Sequence, residues 1–408
     1  MKFSRAILFM LPASLVLALE KVTFFGLPIY FLEALFLIFV VLNITKISRE
    51  QLESRWKSLD RWVALGGVLF IVGAVMATLG QSQPASLTSL GQLKSWVLSP
   101  ALFGLILYSL QEGKQKEREL FYGSWLLGVT IIAITALYGY SFGVLTYDGR
   151  LAFPYNSPNF LALLVTPGLF LTIFFFYQVS TWPKKILTLF VGGILLSVLY
   201  LTHSYNAWLS LILAILVVSS MLWMQVAESK NYYKPKNLLI GGILLLIILF
   251  SLEQGSHKWE DLLLQNGRSS LDSRVMIWRS GAMILRDHWF LGIGVGNFQQ
   301  EYLTYQKYFT PYLEWAVPQP HNLVLAVWLQ TGLIGLAGFI ILVGRLIGRL
   351  YKSTKTGTWT EGGLLLGLWL SFLFYGFIDT PYFRNDLAFL FWLHVLLTCW
   401  YVEEKELT

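Results

Sequence analysis

The chain has 408 residues and a net charge of +7, and 56% of its residues are hydrophobic while only 13% are charged. Soluble domains are about a quarter charged, and apolar surface on this scale would aggregate in water, so the composition excludes a soluble globular protein. The basic residues lie in short segments between apolar runs, which indicates membrane orientation rather than nucleic-acid binding. The single cysteine, Cys399, excludes an internal disulfide and a cysteine-based zinc cluster.

Twelve apolar runs approach the length of about 20 residues that a membrane-spanning helix needs. All of them should be helical, because a backbone exposed to lipid must satisfy its own polar groups. The first run is interpreted as a retained helix rather than a signal peptide, since Pro12 interrupts it and no small-residue cleavage site follows. The predicted spans lie near 6–19, 24–44, 62–80, 93–111, 121–142, 159–179, 184–202, 206–226, 237–252, 322–344, 362–380 and 386–402.

The basic residues predict the orientation of these spans. With the N-terminus in the cytoplasm, 20 of the 30 Lys and Arg residues fall in cytoplasmic segments. Outside the long segment 253–320, the opposite side keeps only Lys21, Lys94, Arg150 and Arg384. This asymmetry follows the positive-inside rule. We therefore expect an all-α, multi-pass protein with both termini in the cytoplasm, forming one membrane domain over residues 1–408.

Segment 253–320 is predicted to be extracytoplasmic and is longer than any other connection. It contains a helical pattern near Asp272–Arg286, where Arg274 shares an apolar face with Trp278. Arg274 either extends from a helix lying on the bilayer or holds an anion, which a first-turn position favours. Arg279 and Arg286 share another face and are equally suited to solvent, lipid headgroups or a ligand.

A glycine-rich motif follows this helix at Leu291–Phe298, with Gly292, Gly294 and Gly296 alternating. A dinucleotide site would require a preceding strand and a crossover unit, and neither fits this position. The pattern is more typical of a turn that needs positive φ angles or close packing.

His321 follows Pro318 and Pro320, which predict a stiff extended entry into the tenth span. Histidine is the side chain best suited to proton transfer near neutral pH, although a histidine at this position could also simply face lipid headgroups. Other candidates in short outer loops are Arg150, Asp379 and the Arg384–Asp386 segment, where the arginines could pair with nearby aspartates. No nucleotide motif, metal cluster or catalytic carboxylate pair is recognisable, so group transfer here would need a donor that is already activated within the membrane.

The sequence resembles the O-antigen ligase and polymerase superfamily of bacterial envelope glycan enzymes. The resemblance covers residues 271–343 and rests on Ser273-Arg274 with Trp278, on Trp289–Phe298, on His321-Asn322 and on Gln330–Leu336. The segment with Arg150, Asn156 and Asn159 is also similar to the family. Two positions depart from its pattern, since Tyr205 stands where arginine is common and Gln330 where an acidic residue is frequent.

The resemblance implies a glycosyltransferase of the class C type that uses no metal and no cofactor. Its donor would be a glycan on undecaprenyl pyrophosphate, and its acceptor a lipid, glycan or protein hydroxyl, at the periplasmic face of the bacterial inner membrane. By this resemblance His321 is the catalytic base, and Arg274, Arg150 and Arg279 contact the pyrophosphate. Asn322, Gly294 and Gly296 would support the site.

Several other functions are compatible with the sequence. Within the same superfamily, the chain could be a repeat-unit polymerase or a protein O-oligosaccharyltransferase. Outside it, a transporter, a lipid flippase or a non-catalytic envelope-assembly protein remains possible. A transporter is disfavoured because no paired inverted repeat with broken helices is visible and one long outer loop breaks two-fold symmetry.

The predicted orientation can be tested with a reporter that is active only in the cytoplasm. Fusions after Arg118, Lys236 or Lys355 should be active, and fusions within residues 254–318 should be inactive. Activity from a fusion in the long segment would contradict both the orientation and the face assigned to the site.

Overall fold

The computed structural model describes residues 10–14, 21–24, 27–43, 49–81, 85–226, 240–244, 247–248, 251, 270–310, 316–354 and 359–407. These residues form a helical protein with one small antiparallel hairpin. The elements in chain order are strands β1 (Lys21–Phe24) and β2 (Leu27–Tyr30), helices α1 (Phe31–Asn43), α2 (Arg49–Ser58), α3 (Arg61–Leu79) and α4 (Leu87–Leu93), a π-helical turn (Lys94–Leu98), helices α5 (Ser99–Leu110), α6 (Gln115–Ser141), α7 (Pro158–Gln178), α8 (Trp182–Leu201), α9 (Tyr205–Val226), α10 (Ser270–Asp287) and α11 (Phe298–Tyr305), a 3-10 turn (Gln306–Tyr308), and helices α12 (Leu323–Thr354), α13 (Trp359–Gly376) and α14 (Asn385–Leu407).

Within the described residues, seven helical segments are long and apolar enough to cross a membrane. They are α3, the continuous segment Leu87–Leu110 that joins α4 to α5, α6, α7, α8, α12 and α14. Three shorter apolar helices lie at Phe31–Asn43, Tyr205–Met221 and Glu361–Gly376. The all-α membrane fold expected from the sequence is therefore confirmed.

Helices cover most of the predicted spans, but the second span, predicted over 24–44, is helical only from Phe31, because strand β2 occupies Leu27–Tyr30 and its Pro28 is unfavourable inside a helix. Most of the first predicted span and half of the ninth lie outside the described residues. The number of twelve spans therefore stays a prediction. The first part of segment 253–320 also lies outside the described residues, which include 270–310 and 316–320 of it. The helix predicted near Asp272–Arg286 is present as α10, which begins two residues earlier and ends one residue later.

Helices α3 and α12 pack against each other along most of their length. Glycines make this close approach possible. An added Cβ at Gly66 would lie 2.6 Å from the backbone nitrogen of Leu342, and one at Gly73 would lie 2.3 Å from that of Gly335. Small residues at such crossings let helix backbones meet in lipid, where packing rather than water exclusion holds helices together. This seam fixes α12, whose N-terminal end follows His321.

Helix α12 is interrupted at Gly332, which has φ 66° and ψ −175°. The chain near the end of α10 fills the interruption. The amide of Leu333 donates to the carbonyl of Phe290 at 2.9 Å, and the amide of Ile293 donates to the carbonyl of Leu329 at 2.6 Å. Segment 290–293 thus supplies hydrogen-bond partners to the backbone groups of α12 that lack their regular helical partners at the interruption.

The three glycines of the predicted turn adopt positive φ angles of 73° at Gly292, 83° at Gly294 and 82° at Gly296. Each is also in close contact with α3, α4 or α12. An added Cβ at Gly292 would lie 2.4 Å from the carbonyl oxygen of Leu329, and one at Gly294 would lie 2.9 Å from that of Ala77. The interpretation of this motif as a tight, closely packed turn is confirmed.

The glycine seam predicts different responses from two neighbouring positions. Gly66→Ala should lower the free energy of unfolding by about 1–3 kcal/mol, because the new methyl group meets the backbone of α12. Gly67→Ala is the matched control, since its Cβ would lie 3.6 Å from the Trp392 ring, an ordinary contact. Thermal unfolding of both variants in detergent measures the difference. Equal midpoints for the two variants would contradict the close approach of α3 and α12.

Candidate active site at the N-terminal end of α12

His321 lies two residues before the first residue of α12, in a backbone conformation that is uncommon for a residue with a side chain. Its φ is 48°, in the left-handed region, which costs about 1–3 kcal/mol and persists only where the surrounding structure holds the residue in place. The surroundings do fix it, because the indole of Trp278 donates to the His321 carbonyl at 3.1 Å. Asn322 adds a second restraint. Its side-chain oxygen accepts from the Leu325 amide at 2.9 Å as a helix cap, and its side-chain nitrogen donates to the Phe377 carbonyl at 3.0 Å.

The His321 side chain forms an ion pair or hydrogen bond with Asp379, which lies in the connection between α13 and α14. The distance from Nδ1 to Oδ1 is 2.8 Å. Asp379 is almost fully buried, whereas the His321 side chain keeps 28% of its surface exposed. The imidazole is therefore held from one side by a buried carboxyl group and is accessible from the other.

The Asp379 carboxyl group is held in its ionised form. Burial raises its pKa, but the charge of His321, its hydrogen bond and the nearby charge of Arg274 lower it, and the net pKa lies below the usual range. The Thr380 amide also donates to Oδ1 at 2.8 Å. Since a carboxylate only accepts hydrogen bonds, Nδ1 of His321 carries a proton in this contact, and Nε2 is the ring nitrogen that faces away from Asp379.

Arg274 is half-buried on α10, one helical turn before Trp278. The face that it shares with Trp278 packs towards α12, because Trp278 contacts His321 and a Cβ at Gly281 would lie 2.8 Å from the Leu325 side chain. Residues one turn apart on a helix are about 5–6 Å apart at Cβ, so Arg274 lies on the same face as Trp278, whose indole contacts the His321 carbonyl. Its charge lowers the pKa of Asp379.

Arg150 lies near the same region but is tied into the protein. Its Nε donates to the Thr202 carbonyl at 2.8 Å, one terminal nitrogen donates to the Asn159 side chain at 3.0 Å, and the other lies 3.7 Å from Asp148. The pairing with Asp148 that the sequence suggested is thus present. Burial lowers the pKa of Arg150, Asp148 opposes that shift, and the like charge of Arg274 adds to it. The positively charged side chains of Arg150 and Arg274 therefore lie near each other.

The remaining predicted site residues take different positions. Arg279 is exposed on α10, and no contact joins it to His321 or Asp379 within the described residues. Gly294 packs on the end of α3, and Gly296 lies against the Gln92 side chain, so both shape the turn rather than the region around the imidazole. Arg384 forms two hydrogen bonds of 2.6 Å with Asp386, which confirms the pairing considered from the sequence.

A buried pair of glutamines connects the elements around His321. The Gly296 amide donates to the Gln330 side-chain oxygen at 3.0 Å, and the Gln330 nitrogen donates to the Gln319 side-chain oxygen at 2.9 Å. The Gln319 nitrogen in turn donates to the Phe383 carbonyl at 3.4 Å. Gln330 is fully buried and uses both its side-chain donor and its acceptor in these hydrogen bonds. An ionised acidic residue at this position, where the family frequently has one, could not donate to Gln319.

No sequence pattern indicates the pairing of His321 with Asp379, because 58 residues separate them. Asp379 was recognisable only as an ionisable residue near a membrane boundary. Tyr375 was not recognised, yet its hydroxyl donates to the Asn159 carbonyl at 2.9 Å, and its own carbonyl accepts from Asn206 at 3.0 Å. Tyr375 thereby joins α13 to α7 and α9 beside Arg150.

The arrangement combines a proton acceptor with fixed positive charge. A histidine whose second nitrogen is oriented by a carboxylate can act as a general base, and arginine binds phosphate oxygens in pairs and stays protonated. Among the residues that the structure describes, no group of three or more His, Cys, Asp or Glu side chains could hold a metal ion.

Residues 190–340 match a family model described as O-Antigen ligase. The matched segment contains Arg274, Arg279 and His321 together with the glycine turn, whereas Arg150 and Asp379 lie outside it. The match supports the O-antigen ligase superfamily and confirms the resemblance seen in the sequence motifs. A search of the curated proteins finds no match to this chain. The family indicates glycan transfer of the ligase or polymerase type.

Proposed function

We propose that this chain transfers a glycan from undecaprenyl pyrophosphate to an acceptor hydroxyl at the extracytoplasmic face of a bacterial cytoplasmic membrane. The observation that carries the proposal is the hydrogen bond of 2.8 Å between His321 and Asp379, next to a helix that presents Arg274. The family match over residues 190–340 supports the reaction class.

In the proposed reaction, Nε2 of His321 removes the proton from the acceptor hydroxyl. The acceptor oxygen attacks the anomeric carbon and forms the new glycosidic bond. The bond from that carbon to the pyrophosphate oxygen breaks, and undecaprenyl pyrophosphate leaves with the electron pair. Asp379 acts through His321, because it orients the ring and stabilises the imidazolium that forms.

Arg274 is the residue best placed to stabilise the leaving group. Fixed positive charge that is aimed at developing negative charge lowers the barrier without reorganisation. Arg150 contributes positive charge to the same region, but its three contacts with Thr202, Asn159 and Asp148 give it a structural role as well. Arg279 is exposed on α10, so the proposal gives it a role in approach of the donor rather than at the reacting atoms.

Variants at two residues separate chemistry from binding. His321→Ala should lower the single-turnover rate by about 10²–10⁴-fold while affinity for undecaprenyl pyrophosphate changes little. Arg274→Ala should weaken that affinity as well as the rate, and Arg274→Lys should recover little, because a point charge loses the paired contact. The measurements are binding of undecaprenyl pyrophosphate and glycan transfer from a lipid-linked donor in nanodiscs.

Arg286→Ala is the matched control on the same helix, because the Arg286 side chain is 76% exposed and pairs with Asp287 away from His321. It should keep both affinity and rate. Equal losses of affinity and rate in His321→Ala would make His321 a binding residue. Movement of the lipid-linked glycan across the vesicle membrane without transfer would favour a flippase. Wild-type affinity and rate in both His321→Ala and Arg274→Ala would mean that this site takes no part in the transfer.

A further inference from the structure

Three consecutive apolar side chains, Trp289, Phe290 and Leu291, are exposed directly after α10, by 55%, 45% and 36%. We call them the apolar turn. A run of exposed apolar residues in a water-facing loop is unfavourable unless it has a function. The exposure does not come from a loose backbone, as the contacts of the turn show.

The backbone of the apolar turn is fixed on α12. The Trp328 indole donates to the Trp289 carbonyl at 2.7 Å, and the Leu333 amide donates to the Phe290 carbonyl at 2.9 Å. On the other side, the Gln81 side chain donates to the Gly292 carbonyl at 3.2 Å. The side chains therefore point outward from a rigid support.

The neighbouring helix α3 shows where this support lies relative to the bilayer. Its 19 residues carry no charge after Arg61 and extend about 28 Å at 1.5 Å per residue, close to the hydrocarbon thickness of about 30 Å. Asp60 and Arg61 mark one boundary, so Leu79 and Gly80 mark the other. Leu291 adjoins this second boundary, because its side chain lies 3.6 Å from the position of a Cβ at Gly80.

The apolar turn also continues a lipid-facing surface. The exposed apolar residues of α3 recur every three or four positions and so lie on one face of the helix. They end at Leu79, which is 60% exposed and next to the residue that Leu291 approaches. The members of this face are Trp62, Leu65, Val68, Val72, Met76 and Leu79.

We infer that the apolar turn is a membrane-binding element that inserts Trp289, Phe290 and Leu291 into the interfacial region of the surrounding lipid leaflet. Tryptophan is enriched at this depth in membrane proteins. Because the turn follows α10 after one residue, the insertion holds the Arg274-bearing helix at the level of the lipid headgroups. This inference does not depend on the proposed reaction, and its test uses no substrate.

The single native cysteine makes the test direct. In a Cys399→Ala background, Phe290→Cys is labelled with an environment-sensitive fluorophore and placed in nanodiscs of phosphatidylethanolamine and phosphatidylglycerol. Gln300→Cys is the matched control, because Gln300 is exposed on α11 in the same segment. Nitroxides attached to lipid acyl chains should quench the label at position 290 several-fold more than the label at 300, and aqueous iodide should show the reverse order.

Two outcomes would overturn the inference. Iodide quenching at position 290 as strong as at 300 would place the turn in water. Protection of position 290 from both quenchers would mean that protein, from another segment or a second copy of the chain, covers it. If Phe290→Cys does not fold, Trp289→Cys provides the same readout from the adjacent side chain.

Discussion

The structure depends on the break in α12 at Gly332 and on the segment that closes it. A helix break at membrane depth leaves backbone groups without partners, and each unsatisfied group in hydrocarbon costs several kcal/mol. Here the carbonyl of Phe290 and the amide of Ile293 supply the partners. A Cβ at Gly332 would lie 2.5 Å from the Phe290 carbonyl oxygen, so the contact also requires glycine at this position.

Closing the break brings together residues that are far apart in the chain. The closing segment follows α10, so it fixes the helix that carries Arg274. His321 precedes the N-terminal part of α12, and Asp379 lies in the loop before α14. The distance from His321 Nδ1 to Asp379 Oδ1 is 2.8 Å. The buried glutamines Gln330 and Gln319 connect the glycine turn to both loops. The positions of the proposed catalytic groups thus follow from backbone hydrogen bonds and buried amides rather than from surface ion pairs.

Sequence reasoning predicted those features that depend on local chemistry. The apolar helices, the helix after residue 270 and the positive φ angles of the glycine turn each follow from spacing or residue type. The structure confirms the helix and the turn, and it confirms apolar helices long enough to cross a membrane at seven places among the described residues. The partner of His321 and the break at Gly332 depend on contacts across 40 to 60 residues, and Gly332 lies within an apolar run that reads as one continuous span. The role of Gln330 was visible only as a departure from a family pattern, whereas the structure shows both its hydrogen bonds.

The exchange of backbone amide hydrogens in segment 288–298 tests most directly whether this segment is built into α12. The amides of Ile293, Val295 and Gly296 donate to Leu329, Thr78 and Gln330, respectively. They should therefore exchange as slowly as the amides of the flanking membrane helices, since exchange requires opening of the packed structure. Exchange of these three amides within seconds, as in an exposed loop, would contradict the account.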